Sequence, residues 1–432
     1  MPALAVGDEI KPPRSTSPAP PLSLRRNFSW TFAGNVLYAG SQWGFLILLA
    51  KLLEPAAVGE FAFALAVTAP IIIFANQGLT GLQATDAKCE FSFAQYFTCR
   101  ALTTSAAFLV IVSVTLLFHW SLVVVVVAAA KSAEAICDIR YGQYQRIDRM
   151  DRTAVSMMLR GTFSLLIAAV LLVAWRSVIA ASLGIVIANV AVLVAKDYRA
   201  HLNALRHDPH AAFSRLKQIA KKKSELRLLL WQAFPLGLAA MLSSATSSIP
   251  RYFVEHYAGT AMLGIFAALT YLLVAGRTLI VALAQACVAR LSRLYIQGLR
   301  LAFARLVAYQ MALGLILGGL GILVSIVAGK LVLTLLYRPE YARYARVLVI
   351  VMIAAALNYL AEFSNGGLLA VRSIRVQPAI LAVCCVAILI LSALLVPRFG
   401  IVGAAWAVAI TGAIQLSASL YFLMRARFSP AQ

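Results

Sequence analysis

The chain has 432 residues, of which 62% are hydrophobic and only 12% are charged, and its formal net charge is +22. Soluble domains carry about 25% charged residues, because their outward faces must meet water. This composition excludes an ordinary soluble enzyme or binding domain and predicts an integral membrane protein whose outer side chains face hydrocarbon. The positive charge then indicates orientation in the membrane, and no nucleic-acid partner is expected.

Apolar stretches of about 20 residues, long enough to cross the hydrocarbon core, recur along the chain. They predict an all-α polytopic membrane protein with about 12 transmembrane helices, arranged as two six-helix lobes around a central cavity. The predicted spans are 27–53, 58–80, 97–118, 119–140, 153–175, 177–197, 228–254, 260–286, 307–329, 346–370, 376–397 and 401–424.

The spans and the longest connection between them divide the chain into four segments. Residues 1–24 are rich in Pro, Ser and Ala without an apolar core, which predicts a disordered cytoplasmic tail and not a cleaved signal peptide. Residues 25–197 are the predicted N-terminal six-span lobe, 198–227 a basic cytoplasmic linker, and 228–432 the C-terminal six-span lobe. A run of three lysines at 221–223 is expected to meet anionic lipid head groups.

Lys and Arg are distributed unequally between the connections. With the N-terminus placed in the cytoplasm, 27 of the 38 fall on the inner side, eight on the outer side and three within spans. The positive-inside rule therefore predicts that both termini are cytoplasmic.

Motifs for covalent or metal chemistry are missing from the sequence. It contains no GxxxxGK[ST] phosphate loop, GxSxG elbow or HExxH helix. The six cysteines lack paired metal-ligand spacing, and His201, His207 and His210 of the linker lack a Cys or carboxylate set. Neither a metal site nor a cofactor is predicted, and transport is the leading class of function.

One short run occurs twice, about half a chain apart. The copies are residues 58–62 (VGEFA) and 263–267 (LGIFA), and each opens an apolar stretch after a short polar turn. In phase with the two sets of spans, this repeat predicts two similar halves that run the same way through the membrane.

Five segments between residues 25 and 425 carry a family pattern. They are Asn35-x-x-Tyr38 with Gln42-Trp43, the run 49–61, Gly142-x-x-Gln145-x-x-Asp148-Arg149-Met150, the run 257–266, and Gly400-x-x-Gly403-Ala404-Ala405-Trp406-Ala407. In this order they resemble the polysaccharide (O-antigen type) flippases of the multidrug/oligosaccharidyl-lipid/polysaccharide (MOP) exporter superfamily.

The resemblance implies a carrier, not an enzyme, whose central cavity opens alternately to each side. Such carriers move undecaprenyl-pyrophosphate-linked oligosaccharides across the bacterial inner membrane, so the implied partners are this substrate, membrane lipids, and a polymerase and other glycan-assembly proteins. Two alternatives stay open: a small-molecule exporter of the same superfamily, and a membrane-embedded glycan enzyme. The family offers no enzyme-style catalytic residues to carry over.

Charged residues within spans give independent evidence of a site, because each costs about 2.5–3.5 kcal/mol at the centre of a lone helix. Three of them point to a cationic chamber for a pyrophosphate: Lys131, Arg160 and Arg277. Arg160 and Arg277 lie at similar depths in opposite halves, and the guanidinium fork matches phosphate oxygens. The alternative is that Lys131 pairs with Glu134, while Arg160 and Arg277 either extend towards the inner interface or pair with Asp138 and Glu362.

The same carboxylates are candidates for coupling transport to protons or sodium. Glu134 and Asp138 share one helical face with Lys131, and Glu362 lies in the tenth span. A carboxylate in a low-dielectric cavity has its protonation linked to neighbouring charges. Two further charges, Glu60 and Arg251, are predicted to be gate or interface charges at the outer edge.

Overall fold

The computed structural model describes residues 22–86, 89–197, 223–371 and 376–428. Within these ranges the chain is built from helices, without a β-strand. Ten helices in this part of the chain are long and apolar enough to cross a membrane. The predicted all-α membrane class is confirmed, and the chain is a multi-pass membrane protein.

The first half of the described chain contains six long helices and one short one. They are α1 (Leu24–Leu52), α2 (Pro55–Asn76), α3 (Leu79–Thr85), α4 (Phe93–Leu117), α5 (Leu122–Arg146), α6 (Met150–Trp175) and α7 (Val178–Val192), which a π turn extends over Leu193–Asp197. Gln77 and Gly78 both have positive φ, and this left-handed backbone separates α3 from α2.

The second half is built from five long helices. They are α8 (Lys223–Ala258), α9 (Thr260–Ile296), α10 (Arg300–Leu336), α11 (Ala345–Ala370) and α12 (Val376–Phe428), with a 3-10 turn at Pro339–Tyr344. Gly400 has non-helical φ and ψ and divides α12 into two arms, each carrying one predicted span. The ten apolar helices include α12 as one helix and do not include α5, which carries several charges. Helix α5 and the second arm of α12 therefore account for the other two of the 12 predicted spans.

We name the ends of the bundle after the predicted orientation. The inner end holds the start of α1 and the end of α12, and the outer end holds the turns after α1, α4, α8 and α10. Helices α9 and α10 have 37 residues each, more than their predicted spans. At 1.5 Å per residue each is about 55 Å long, which exceeds the hydrocarbon core of about 30 Å.

Helices pack mainly against helices of their own half. In the first half α1 packs on α6, and α5 on α4 and α7; in the second half α11 packs on α9, α10 and α12. Gly318 of α10 lies against Ala356 of α11, and Gly314 lies near Phe363, as the GxxxG spacing predicts. The division into two lobes stays a prediction, and this packing agrees with it.

Contacts between the halves are made chiefly by α2. This helix packs along both α8 and α9, and α1 also packs on α9. The Tyr252 hydroxyl of α8 donates to the Ala66 carbonyl of α2, and the rings of Phe74 and Phe234 meet edge to face 5.8 Å apart.

The connection from α3 to α4 is held by the carboxylate of Asp86. It accepts the backbone N–H groups of Glu90 (2.9 Å) and Phe91 (3.2 Å) and the Tyr96 hydroxyl (3.3 Å). Burial favours a higher pKa of Asp86, but these bonds and nearby Arg146 outweigh it, so the pKa lies below its usual value. The carboxylate therefore stabilises the folded chain above its unfolded-state pKa, and this contribution is lost as pH falls through the lower folded-state value.

Most of the predicted tail and linker lies outside the described residues. This holds for positions 1–21 and 198–222, and therefore for the histidines and for two of the three lysines of the linker. Helix α1 begins at Leu24 and α8 at Lys223, so the ends of both predicted segments are helical.

Candidate functional site

Lys131 and Glu134 form an ion pair on α5. The Lys131 Nζ lies 2.8 Å from Glu134 Oε2, and the Tyr38 hydroxyl of α1 donates to Glu134 Oε1 at 2.6 Å. The side chains of Lys131 and Glu134 are 29% and 18% exposed. Both line a small cavity together with Gln42 and Leu65, so the pair keeps an accessible surface.

Arg160 of α6 is enclosed by polar and aromatic groups of the first half. It donates to Asp138 Oδ1 (3.2 Å) and to the Glu134 carbonyl (3.3 Å). Its guanidinium carbon lies 5.6 Å and 5.3 Å from the ring centres of Tyr38 and Tyr141, within cation–π range. The side chain is only 2% exposed, which leaves no surface for a ligand in this conformation.

Arg277 of α9 pairs with Glu362 of α11. Its Nε donates to Glu362 Oε1 at 2.7 Å, and Nη2 contacts the same oxygen. The Arg277 side chain is 46% exposed, whereas that of Glu362 is 17% exposed. A guanidinium has five N–H donors, so Arg277 can bind a second acceptor while it holds Glu362.

The structure thus forms the three ion pairs of the alternative interpretation. It does not bring Lys131, Arg160 and Arg277 together in one open chamber, because Arg160 is buried within the first half. Lys131 and Arg277 remain accessible. The roles predicted for these residues in binding or coupling stay predictions.

Arg251, which the sequence analysis predicted to be a gate or interface charge at the outer edge, is also a candidate binding residue. It lies on α8, seven residues before the end of the helix at Ala258, and lines a cavity of about 130 Å³ together with Arg277, Thr270 and Asn358. Among the described residues no carboxylate forms an ion pair with Arg251. Glu255 has the spacing of a helical partner but instead accepts from the Thr260 hydroxyl at 2.7 Å.

Tyr271 of α9 connects the charges of the two halves. Its hydroxyl interacts electrostatically with Lys131 and Glu134 of α5 and with Arg251 of α8. Lys131 lines a small cavity of the first half, and Arg251 lines a cavity of the second half. Lys131 and Arg277 are each paired with a carboxylate, whereas Arg251 forms no ion pair in the described chain.

A further Arg of the first half is buried. Arg100 of α4 is 1% exposed, bonds to the Asn76 side chain and donates to Thr80 Oγ1 at 3.1 Å. These partners flank the break between α2 and α3. Arg100 therefore stabilises this break.

Replacing Glu134 with glutamine tests the predicted coupling role. The amide would keep a hydrogen-bonding side chain beside Tyr38 but would remove the charge that neutralises Lys131. We expect a changed pH dependence of transport, measured in proteoliposomes over a series of external pH values. Glu340→Gln, at an exposed outer position, is the control, and a Glu134→Gln profile that superimposes on the parent profile excludes Glu134 from coupling.

The structure is a helix bundle with charged side chains inside both halves. The chain belongs to the polysaccharide biosynthesis protein family, whose sequence model matches residues 24–295. It is 26% identical over 405 residues to the capsular polysaccharide biosynthesis protein CapF of Staphylococcus aureus, a match that covers 93% of this chain and 99% of CapF.

Solved transporters have the same fold. The lipid II flippase MurJ superposes with a TM-score of 0.69 at 12% identity, over 92% of this chain and 87% of MurJ. A MOP superfamily transporter from Pyrococcus furiosus gives 0.62 at 14% identity (93% and 95% covered), and the Vibrio cholerae MATE transporter VcmN gives 0.61 at 13% (93% and 96%). The chain therefore has the fold of MOP superfamily transporters, as the resemblance implied.

Proposed function

We propose that this protein carries an oligosaccharide linked to undecaprenyl diphosphate across the bacterial inner membrane by alternating access, with both termini in the cytoplasm. The observation that supports this proposal most is Arg251, a cation without a carboxylate partner in the described chain, beside the half-exposed Arg277. A diphosphate is the part of such a substrate that needs cationic, multidentate hydrogen-bond donors.

The surroundings of Arg251 and Arg277 suit a phosphate group. The cavity wall adds neutral hydrogen-bonding side chains, among them Ser247, Thr270 and Asn358. The proposed binding set is Lys131 from one half with Arg251 and Arg277 from the other, so the anion would be held between the halves. Arg160 is left to a structural role in this proposal.

The charge balance favours this substrate class over a cationic small molecule. An exporter of cations needs a carboxylate that is free to meet its substrate, whereas Glu134, Asp138 and Glu362 each have a cationic partner. The relatives also favour a glycan: CapF is named for capsular polysaccharide biosynthesis and MurJ for lipid II. A polymerase and other glycan-assembly proteins would then act on the transported unit.

The proposal is tested in cells that lack this protein. Lipid-linked oligosaccharide is expected to accumulate in the inner leaflet, where enzymes added to the outer face of spheroplasts do not reach it, and re-expression of the protein is expected to restore access. Efflux of a quaternary ammonium dye is measured in parallel. Unchanged outer-leaflet glycan together with lost dye efflux would favour the small-molecule exporter and contradict the proposal.

A further inference from the structure

The two copies of the repeated run meet each other at the interface between the halves. Helices α2 and α9 approach so closely at Gly59 and Gly264 that neither position has room for a side chain. A Cβ on Gly59 would overlap the Thr260 carbonyl oxygen, and a Cβ on Gly264 would overlap the Pro55 carbonyl oxygen. The obstructing atoms belong to backbone, which cannot move aside as a flexible side chain does.

These contacts are reciprocal. Gly264 follows Gly59 by 205 residues, and Thr260 follows Pro55 by the same 205 residues. Thr260 is therefore the counterpart of Pro55, and Gly264 is the counterpart of Gly59. Gly59 contacts Thr260 and Gly264 contacts Pro55, so the two contacts are equivalent, as they would be across a two-fold axis. A residue contacts its own counterpart only near such an axis, so this contact lies near the pseudo-two-fold axis between the halves.

The contact lies on the outer side of the charged residues. Gly59 and Gly264 are in the first two turns of α2 and α9, both of which begin at the outer end. Leu65, which lines the same cavity as Lys131, is six residues further along α2, or about 9 Å deeper at 1.5 Å per residue. A substrate that leaves towards the outer side along this axis would therefore meet the backbones of α2 and α9.

We infer that the Gly59–Gly264 contact is the outer gate of this transporter, that it is closed in the present structure, and that it separates when the outer side opens. The inference rests on the transporter fold and not on the identity of the substrate. Glycine in a helix interior costs about 1 kcal/mol relative to alanine. Closure of the gate gives a reason for glycine at both equivalent positions, because any Cβ would hold the helices apart.

The gate is tested with Gly59→Ala and Gly264→Ala. Alanine favours the helix, so the variants are expected to fold, but the added Cβ should prevent full closure. The reporter is Leu65→Cys in a chain whose six native cysteines are replaced by serine, reconstituted in proteoliposomes and treated with a membrane-impermeant maleimide from the outer side. We expect labelling about tenfold faster in each glycine variant than in the parent reporter chain.

Gly319→Ala is the matched control, because a Cβ on Gly319 of α10 would have no neighbouring atom within 4 Å, and this substitution should leave labelling unchanged. The double variant Gly59→Ala/Gly264→Ala should label less than the product of the two single effects predicts, since both substitutions remove the same contact. Parent-like labelling of both single variants would overturn the inference.

A second measurement needs no glycine variant. Leu65→Cys should be protected from the outer reagent relative to Tyr257→Cys, which lies at an exposed position near the end of α8. Equal labelling rates for these two reporters would also overturn the inference. Neither result depends on glycan transport, so failure of the gate and failure of the proposed substrate are distinguishable.

Discussion

Arg251→Ala is expected to reduce transport of lipid-linked oligosaccharide by about 10- to 100-fold, the equivalent of one charged hydrogen bond at about 1.5–3 kcal/mol. The reason is that Arg251 has no carboxylate partner in the described chain, so its charge is available to a diphosphate. Arg251→Lys keeps the charge but loses the planar fork, and we expect partial transport. The measurement is the initial rate at which outer-leaflet glycan appears, at matched membrane abundance.

The control for this prediction is Arg343→Ala, which removes a cation from an exposed position in the outer 3-10 turn. Its transport should equal that of the parent protein. If Arg251→Ala transports at the parent rate while Arg343→Ala does so as well, Arg251 does not bind the substrate. The substrate would then have to bind at residues other than Arg251.

Arg160→Ala is expected to lower the free energy of unfolding by about 3–5 kcal/mol, the cost of removing one partner from a buried ion pair. The substitution would leave Asp138 without its cation and would open a cavity beside Tyr38 and Tyr141. Thermal unfolding in detergent, followed by the loss of monodisperse protein, measures the effect. The double variant Arg160→Ala/Asp138→Asn should recover part of the loss, because no buried carboxylate is then left unpaired.

Arg277→Ala provides the comparison for Arg160→Ala. The Arg277 side chain is 46% exposed, so loss of its pair with Glu362 should cost no more than about 1 kcal/mol. We therefore expect Arg277→Ala to fold like the parent protein and to transport poorly. If Arg160→Ala unfolds at the parent temperature, the structural role assigned to Arg160 is wrong.

These expectations separate three cations that look alike in the sequence. Lys131, Arg160 and Arg277 each lie in a predicted apolar span. In the sequence, each of them has a carboxylate as a possible partner. Only the packing shows that Arg160 is enclosed by Tyr38, Tyr141 and Asp138 whereas the other two keep accessible surface. The alternative in which the three cations pair with carboxylates therefore described the contacts. It did not distinguish a buried ion pair from an accessible one.

The sequence by itself determined the membrane class, the placement of the spans and the presence of a repeat. A helix needs about 20 consecutive apolar residues to cross the hydrocarbon core, and this is a local property of the sequence. The spans can therefore be predicted without knowledge of any tertiary contact. The repeat at 58–62 and 263–267 likewise needs only comparison of the chain with itself.

The tertiary structure decided which charges are paired and where the halves touch. A span's sequence does not state how its helix is rotated about its own axis or which helix lies beside it, and both decide the partner of a side chain. For this reason the sequence did not show that Arg251 lines the same cavity as Arg277 or that Glu255 bonds to Thr260. The meeting of Gly59 with Gly264 also depends on packing, because it joins two helices 205 residues apart in sequence through backbone contact alone.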